Sequence, residues 1–548
     1  MKQVYLFILI IIGLIYSPSI QGQVIDLNHI ESKIDALVPS SVKDNTPGLV
    51  VGIVQNGNLI FSKGYGLANL SYKIPNDSKM VYNIGSVSKQ FLGYAFAMLQ
   101  VEGKIKLDDP VNKYLEDWPE FDQPVTIRHL LSHTSGYREA YTMSSLAGRN
   151  IGVDRLSQEE CLEVVRKQPQ LEFEPGSTYT YNSTAWVILA EVFEKAAGMS
   201  AAKWVTLNIL KPLEMNDTQI ETHVGEVIIN AAESYSSNQS SGYTNEKSNR
   251  AIFGAADVYT SVQDITKWIN NYSKTKLGGD AVNKLFLEPF VFNNGINSGY
   301  ALGIEIGTYR GLKTYSHNGG HEAFITQLMY FPDQYTGIFT VSNFGRNGVI
   351  SINKIADVLL EEFMIDNDFE YEGIPIKKEA LEQLSGLYVV STLNKTINLT
   401  IVEDTLSINS RRKLIPTEPT IFRINGSDDQ VLIEKLSNGK IQLTSIRTNS
   451  KEVFERVESW SPKAEELVSF KGDYWSSELE TVYNIHVVNN QLIVKHRWNE
   501  DITLKPISKD FFGTDYGLYI KFNRNEKGEI IALSIYSGRT LNVIFEKK

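Results

Sequence analysis

At roughly 150 residues per domain the 548-residue chain has room for two to four domains. With 42% hydrophobic and 21% charged residues it has the composition of a folded protein, not a disordered or fibrous one. Its 53 basic and 64 acidic side chains leave a net charge of −11, which excludes a dominant basic surface and so nucleic acid as a main partner.

The first residues carry one early lysine, an apolar run from Val4 to Tyr16, and then Ser17-Pro18-Ser19 and small residues up to Gly22. That is the layout of a secretory signal peptide over residues 1–22, and the run, about 13 residues, is short of the roughly 20 needed to span a bilayer. Cleavage near Gly22 is expected to leave a mature chain that is periplasmic or extracellular, with no transmembrane anchor.

From Gly48 to Ala68 two β-rich runs flank Gln55-Asn56-Gly57-Asn58, a hairpin signal. Helical spacing follows between about Ser86 and Lys211, including Gln90 to Glu102, which ends at Gly103, and Ala185 to Ala197, which ends at Gly198. A third such stretch, Gln158 to Lys167, holds the single cysteine, Cys161, expected to be a small buried apolar side chain. One cysteine also excludes an intrachain disulfide and a thiolate-rich metal centre. Strands are predicted near Leu302 to Ile306, Ala323 to Phe331 and Thr336 to Ser342, and a helix over Ile352 to Phe363. Strands at both ends with helices between them predict an α/β (α+β) domain over 23–365, an antiparallel sheet packed on a helical part.

A connector over 366–383 follows, and beyond Leu384 short alternating strands replace the helical spacing. This region reads as duplicated. Leu384-Ser385-Gly386-Leu387-Tyr388 echoes Phe470-Lys471-Gly472-Asp473-Tyr474, Leu406 matches Leu492, Pro416 matches Pro506, and Phe454-Glu455 matches Phe545-Glu546. Two β-barrel-like domains are therefore expected, over 384–460 and 464–548.

No serine lies in G-x-S-x-G and no H-E-x-x-H occurs, which removes the α/β-hydrolase and zinc-protease readings. S-x-x-K remains. On a helix it sets a lysine amine one turn from a serine hydroxyl, where it can take the proton as the oxygen attacks. The pattern occurs seven times, at Ser40/Lys43, Ser86/Lys89, Ser200/Lys203, Ser273/Lys276, Ser351/Lys354, Ser410/Lys413 and Ser437/Lys440, so context must choose. Ser86 stands at the start of a long apolar-faced helix, which places its amide among the unpaired N–H groups of a helix N-terminus. A lysine of ordinary pKa costs about 4.6 kcal/mol to hold neutral at pH 7, so Lys89 needs burial and nearby donors to act as a base.

Tyr82-Asn83-Ile84-Gly85-Ser86-Val87-Ser88-Lys89 resembles the nucleophile segment of the class C β-lactamase and penicillin-recognising serine hydrolase family, which includes CubicO-type hydrolases, D-aminopeptidases and D-Ala-D-Ala carboxypeptidases. Further segments follow in that family's order: Leu107 to Val111, Val125 to Gly136, Phe173 to Gly176 leading to Tyr181, Gly254 to Thr260, Tyr300 to Gly303, and His317 to Gly320. The resemblance covers roughly residues 40 to 365. It implies that Ser86 is the acylated nucleophile, Lys89 its proton acceptor, Tyr181 a second acid/base, and His317 a residue that tunes Tyr181 and meets the substrate. The backbone N–H groups of Ser86 and Gly320 would form the oxyanion hole, Ser183, Asn318 and Gly319 would contact substrate, and His129 and His133 would have packing roles. His29, His223, His321, His486 and His496 receive no role. No cofactor or metal is called for.

The chain departs from the family pattern in two places. Tyr-x-Asn reads Tyr181-Asn182-Ser183, a hydroxyl in place of an amide, which differs in reach and donor count. The residue after His317 is Asn318, where a hydroxyl residue often holds a β-lactam or D-Ala carboxylate. The first favours a peptidase, esterase or other amide hydrolase over a β-lactamase, and the second gives little support to recognition of a free C-terminal carboxylate beside His317. The tail resembles the lipocalin-like barrels of D-aminopeptidases, in which a loop can border the cleft and restrict it to short substrates. The expected function is thus a secreted or periplasmic serine hydrolase forming an acyl-enzyme on small amides or esters, above all short or D-residue-containing peptides. The alternatives are a β-lactamase or D-Ala-D-Ala carboxypeptidase, and a non-catalytic ligand-binding module.

Overall fold

The computed structural model describes residues 27–238, 242–366, 369–447 and 450–548, with the side chains of 27–29 left aside. The signal segment expected at 1–22 lies outside the described residues.

Strands β1 (Leu49–Gln55) and β2 (Asn58–Tyr65) form the expected hairpin. Asn56 and Gly57 both take positive φ, 49° and 85°, the conformation that a tight two-residue turn demands and that asparagine and glycine tolerate best. Helix α1 (Lys89–Val101) and helix α2 (Ser183–Ala197) form the middle of the helical part, and α3 (Val262–Lys274) covers one face of the sheet. Strands β3 (Glu305–Tyr309), β4 (Leu312–His321), β5 (Phe324–Phe331) and β6 (Thr336–Ser342) follow, then helix α4 (Ile352–Leu360). The sheet is six-stranded and antiparallel in the order β3-β4-β5-β6-β1-β2, so strands from the two ends of the domain meet at β6 and β1.

Period-two alternation decides what each face of that sheet buries. Val50 and Val54 point into the large core shared with Val262, Ile265, Phe91 and Leu92. Leu49, Val51 and Ile53 point the other way, into a core with Ile352, Ile355 and Ile30. Helices α1 and α2 are buried around most of their circumference, as expected of helices enclosed within a helical layer rather than laid on a surface. Cys161 is buried on the helix Gln158–Arg166.

Two expectations shift. The strand predicted near Leu302 to Ile306 begins at Glu305, because Gly303 (φ 90°) turns the chain tightly enough for the Ala301 N–H to donate to the Ile304 carbonyl at 2.8 Å. The connector at 366–383 is not wholly irregular either, since a helix, Lys378–Leu384, occupies its end and packs Leu381 into the first barrel.

The tail forms two closed antiparallel barrels of eight strands each, Gly386–Val390 to Ser450–Arg456 and Gly472–Ser476 to Thr540–Lys547. The sequence echoes fall on equivalent places. Gly386 and Gly472 open the first strands at φ 135° and 146°. Two residues on, Tyr388 and Tyr474 each donate to the carbonyl four residues upstream, Leu384 at 2.7 Å and Phe470 at 2.9 Å. Leu406 and Leu492 lie in the third strands, Pro416 and Pro506 in the fourth, Phe454 and Phe545 in the eighth.

The second barrel docks on the helical part. Met143 and Leu146 share its apolar interior cluster, the Tyr483 hydroxyl donates to the Leu146 carbonyl at 2.9 Å, and Arg138 makes a buried fork with Glu478 at 2.7 and 3.1 Å. No helix among the described residues is long and apolar enough to cross a membrane.

Candidate active site

Ser86 lies half-buried in a single 3-10 turn, Gly85–Ser88, that runs straight into α1. The turn is braced from both sides. The Asn83 side chain accepts from the Gly85 N–H at 2.9 Å, and the Ser88 hydroxyl accepts from the Val258 N–H at 3.1 Å. Tyr82 and Asn83 pair with Thr260 and Tyr259, which explains why the segment Gly254 to Thr260 accompanies the nucleophile segment in the sequence. On its other side the turn abuts β4. A Cβ on Gly319 would sit 2.0 Å from the Ile84 carbonyl oxygen, and one on Gly85 (φ 52°) would sit 2.6 Å from the Gly320 nitrogen. Glycine at both positions is what lets the strand and the turn touch.

Lys89, fully buried, donates from Nζ to Ser86 Oγ at 3.1 Å and to the Ala255 carbonyl at 2.6 Å. Its Nζ also lies 5.1 Å from the centre of the Tyr181 ring. Burial lowers its pKa to about 7; the Arg539 charge pushes the same way, against Glu139 and Asp257.

Tyr181 immediately precedes α2. The N-cap of that helix is Asn182, whose side chain accepts from the Ala185 N–H at 2.8 Å and donates to the Tyr137 carbonyl at 2.6 Å. The amide of Tyr181-Asn182-Ser183 is therefore consumed by capping, and Ser183 is the polar side chain that lines the cavity. The Tyr181 hydroxyl is buried and closes no hydrogen bond of ordinary geometry. Burial raises its pKa, and the neighbouring Ser86 hydroxyl offsets part of that rise. His133 stacks on the Tyr181 ring with centroids 4.2 Å apart and accepts from the Asn182 N–H at 3.0 Å, which fits its expected packing role.

His317 is buried on β4. Its Nδ1 donates to the Asn318 carbonyl at 2.6 Å, so Nε2 is the acceptor for the Tyr300 hydroxyl at 2.9 Å. Burial, with Lys89 nearby, lowers its pKa to about 3, so the ring is neutral. Both ring nitrogens are occupied, and its centroid is 6.3 Å from that of Tyr181. His317 and Tyr181 are thus neighbours across the site without a hydrogen bond between them. His129 is elsewhere, in the capping box of the helix Ile127–Leu131.

These residues border a cavity of about 820 Å3 that includes Ser86, Tyr181, Ser183, His317, Asn318, Gly319 and Gly320, so the structure gathers those expected site residues at one place, with Lys89 in the wall beneath. Sequence reasoning did not assign Tyr300, the Ala255 carbonyl, His321 or Arg539 to this site. Ala255 and Tyr300 lie in the family-like segments without a role assigned there, His321 left a local signal because residues four apart on a strand share a face with His317, and Arg539 left none. Among the described residues no three His, Cys, Asp or Glu side chains converge as a metal site requires.

A family model described as Beta-lactamase matches residues 30–356. The chain belongs to the beta-lactamase family. Two eight-stranded barrels follow the matched region. The D-aminopeptidase of Brucella anthropi is 22% identical over 521 residues, 91% of this chain and 94% of that protein. The D-aminopeptidase of Cereibacter sphaeroides (strain ATCC 17023) is 23% identical over 323 residues, 58% of this chain and 60% of that protein, so that match spans less than two thirds of the relative's length. Among solved structures, the octameric penicillin-binding protein homologue from Pyrococcus abyssi superposes with a TM-score of 0.52 at 20% identity, over 86% of this chain and 98% of that one. At such identity the likeness speaks for the fold.

Proposed function

We propose that this beta-lactamase-family hydrolase cleaves short or D-residue-containing peptides through an acyl-enzyme on Ser86, in the periplasm or outside the cell. The observation that carries the reading is the Lys89 amine, fully buried and 3.1 Å from the Ser86 hydroxyl. With its pKa brought to about 7, a large share of the amine is neutral at physiological pH, and the ordinary cost of neutralising a lysine is largely removed. The Ala255 carbonyl takes one N–H and orients the amine, so that the lone pair of the neutral form faces the Ser86 proton.

Attack of Ser86 Oγ on the scissile carbonyl passes the hydroxyl proton to Lys89 and develops an oxyanion. Two backbone N–H groups are offered to it. That of Ser86 is unpaired by its place in a first helical turn. That of Gly320 follows from register. The two-residue turn between His321 and Phe324 makes those residues the hydrogen-bonded pair, so the preceding pair, Gly320 and Ile325, is non-hydrogen-bonded and the Gly320 N–H points away from β5. Tyr181, its hydroxyl otherwise unpartnered, relays the proton to the leaving amine, and water then attacks the acyl-enzyme by the reverse route. The peptide substrate class is supported by the D-aminopeptidase relatives, and export by the signal layout of residues 1–22.

The test is intact-mass spectrometry of the mature protein with a fluorophosphonate and, separately, with a penicillin, beside Ser86→Ala. A fluorophosphonate adduct absent from Ser86→Ala supports the peptidase reading, and a persistent penicilloyl adduct turns it toward a penicillin-binding peptidase. No adduct on folded protein overturns it in favour of a ligand-binding module.

A further inference from the structure

Part of the cavity wall comes from outside the beta-lactamase domain. The turn between strands Ile530–Ser537 and Thr540–Lys547 of the second barrel places Arg539 there, its guanidinium carbon 5.1 Å from the centre of the Tyr181 ring. The turn is held firmly. Arg138, 2% exposed, donates to the Leu541 carbonyl and, at 3.3 Å, to the Asn542 carbonyl, while fully buried Glu172 accepts from the Leu541 N–H at 3.1 Å. Two residues before Leu541, the Arg539 backbone is fixed by this frame. Its own head is exposed and pairs with no carboxylate among the described residues.

On the Ser86 side the charge favours an anion: three arginines, Arg250 (paired with Glu322), Arg346 and Arg539, line the cavity against one glutamate, Glu305. On its other side Arg539 borders a second cavity with Glu139, Glu500 and Asp501, and its charge acts on buried Glu139 without a direct ion pair. A guanidinium with its fork unused, held over an aromatic face in a partly enclosed site, is a receptor for a planar oxyanion. Distances limit where that anion sits. Laid end to end, 3.1 Å from Ser86 Oγ to Lys89 Nζ and 5.1 Å from each cation to the shared ring bound the reach to the guanidinium at about 13 Å. An extended chain covers that in about four residues.

We propose that Arg539 is the specificity-determining residue of this site, binding a free carboxylate of the substrate within about four residues of the bond cleaved at Ser86. The inference rests on the hydrolase reading above and names its substrate class as short peptides with a free acid end. Asn318 places no hydroxyl beside His317 for a carboxylate, and the second barrel supplies the cation instead.

Binding tests this apart from turnover. In the Ser86→Ala protein, D-alanyl peptides with one to three glycines and a free amino end are titrated calorimetrically as free acids and as C-terminal amides. At one or more lengths the acid is expected to bind about tenfold tighter than its amide, the range of a charge-assisted hydrogen bond. Adding Arg539→Gln is expected to shrink that difference to under about twofold, and Arg539→Lys to restore part of it. Equal binding of acid and amide at every length, a preference that survives Arg539→Gln, or no binding of the acids at millimolar concentration would overturn the proposal. If the preference is found but the parent protein shows no Ser86-dependent turnover, the hydrolytic reading fails and the carboxylate site stands.

Discussion

The Tyr300 hydroxyl donates to His317 Nε2 across 2.9 Å, and the opposite ring nitrogen donates to the Asn318 carbonyl. The imidazole is thereby pinned at both ends while one face borders the cavity. Tyr300→Phe leaves the buried Nε2 unpaired, a loss of about 1–3 kcal/mol that urea unfolding should register. With the ring freed, kcat should fall by roughly tenfold while KM moves little, because the change disturbs orientation rather than substrate contacts. Since His317 is neutral down to a pKa of about 3, the variant should keep the parent's pH profile above pH 5. A new limb near 6 would mean that His317 titrates during turnover.

The Lys89 amine gives that profile its acid limb. kcat/KM should rise as pH passes about 7, where Lys89 loses its proton. Asp257, brought to about 7 by burial, titrates in the same window, so the limb needs assigning. Arg539 does this, since its charge weighs on Lys89 whereas Arg250 is the cation that weighs on Asp257. Arg539→Gln should move the limb to higher pH, and an unmoved limb would assign it to Asp257.

The same burial costs stability. Between about pH 7 and the ordinary lysine range the unfolded chain holds a proton on Lys89 that the folded chain has lost, so wild-type stability climbs with pH there by up to about 1.4 kcal/mol per pH unit. At and below pH 7 the cost is fully expressed. Lys89→Met, inactive, should therefore melt higher than wild type at pH 6, and its advantage should shrink toward pH 10. Thermal unfolding at the two pH values reads this directly.

How much of this was legible in the sequence follows the range over which each signal acts. Asn56-Gly57 and Thr336–Ser342 are local, set by turn sterics and alternation, and both appear where predicted. The duplication of the tail was legible because each barrel repeats its own landmarks, such as Tyr388 and Tyr474 bonded four residues back. Ser86 and Lys89 owe their pairing to one helical turn, which spacing encodes. Tyr300 and His317 meet only because the turn at Gly303 folds Tyr300 back onto Glu305, which pairs with Ser316 on β4, and Arg539 reaches Tyr181 only because the second barrel docks through Arg138. Neither periodicity nor spacing carries such contacts.

Gly319 and Gly320 separate steric need from chemical use. A methyl group on Gly319 would meet the Ile84 carbonyl oxygen at 2.0 Å, so Gly319→Ala must push β4 off the turn that carries Ser86. On Gly320 it would meet nothing nearer than Ile325 Cδ1 at 3.9 Å. Gly319→Ala should lower kcat/KM by about a hundredfold or more through displacement of the oxyanion donors, whereas Gly320→Ala should fold normally and lose far less. Equal losses in the two would show that the Gly320 methyl blocks substrate rather than that the strand has moved.

Arg138 ties the second barrel to the loop beside Tyr181. Burial works against its charge, but Glu172 and Glu478 hold the guanidinium above its ordinary range, so it stays protonated throughout the working pH. Arg138→Met would leave buried Glu478 without its counter-charge and Glu172, whose pKa burial already lifts to about 8, without its donor, a loss of about 3 kcal/mol. Arg138→Lys keeps the charge but not the fork to Glu478, and should lose less. Because Arg138 also bonds the Leu541 and Asn542 carbonyls, its removal should free the turn bearing Arg539. The expected signature is faster proteolytic cutting between the barrels near residues 457–463, together with loss of any discrimination between acid and amide peptides at Ser86-dependent turnover. A variant that is destabilised yet still discriminates would show that Arg539 is placed by the barrel alone, without the buried fork.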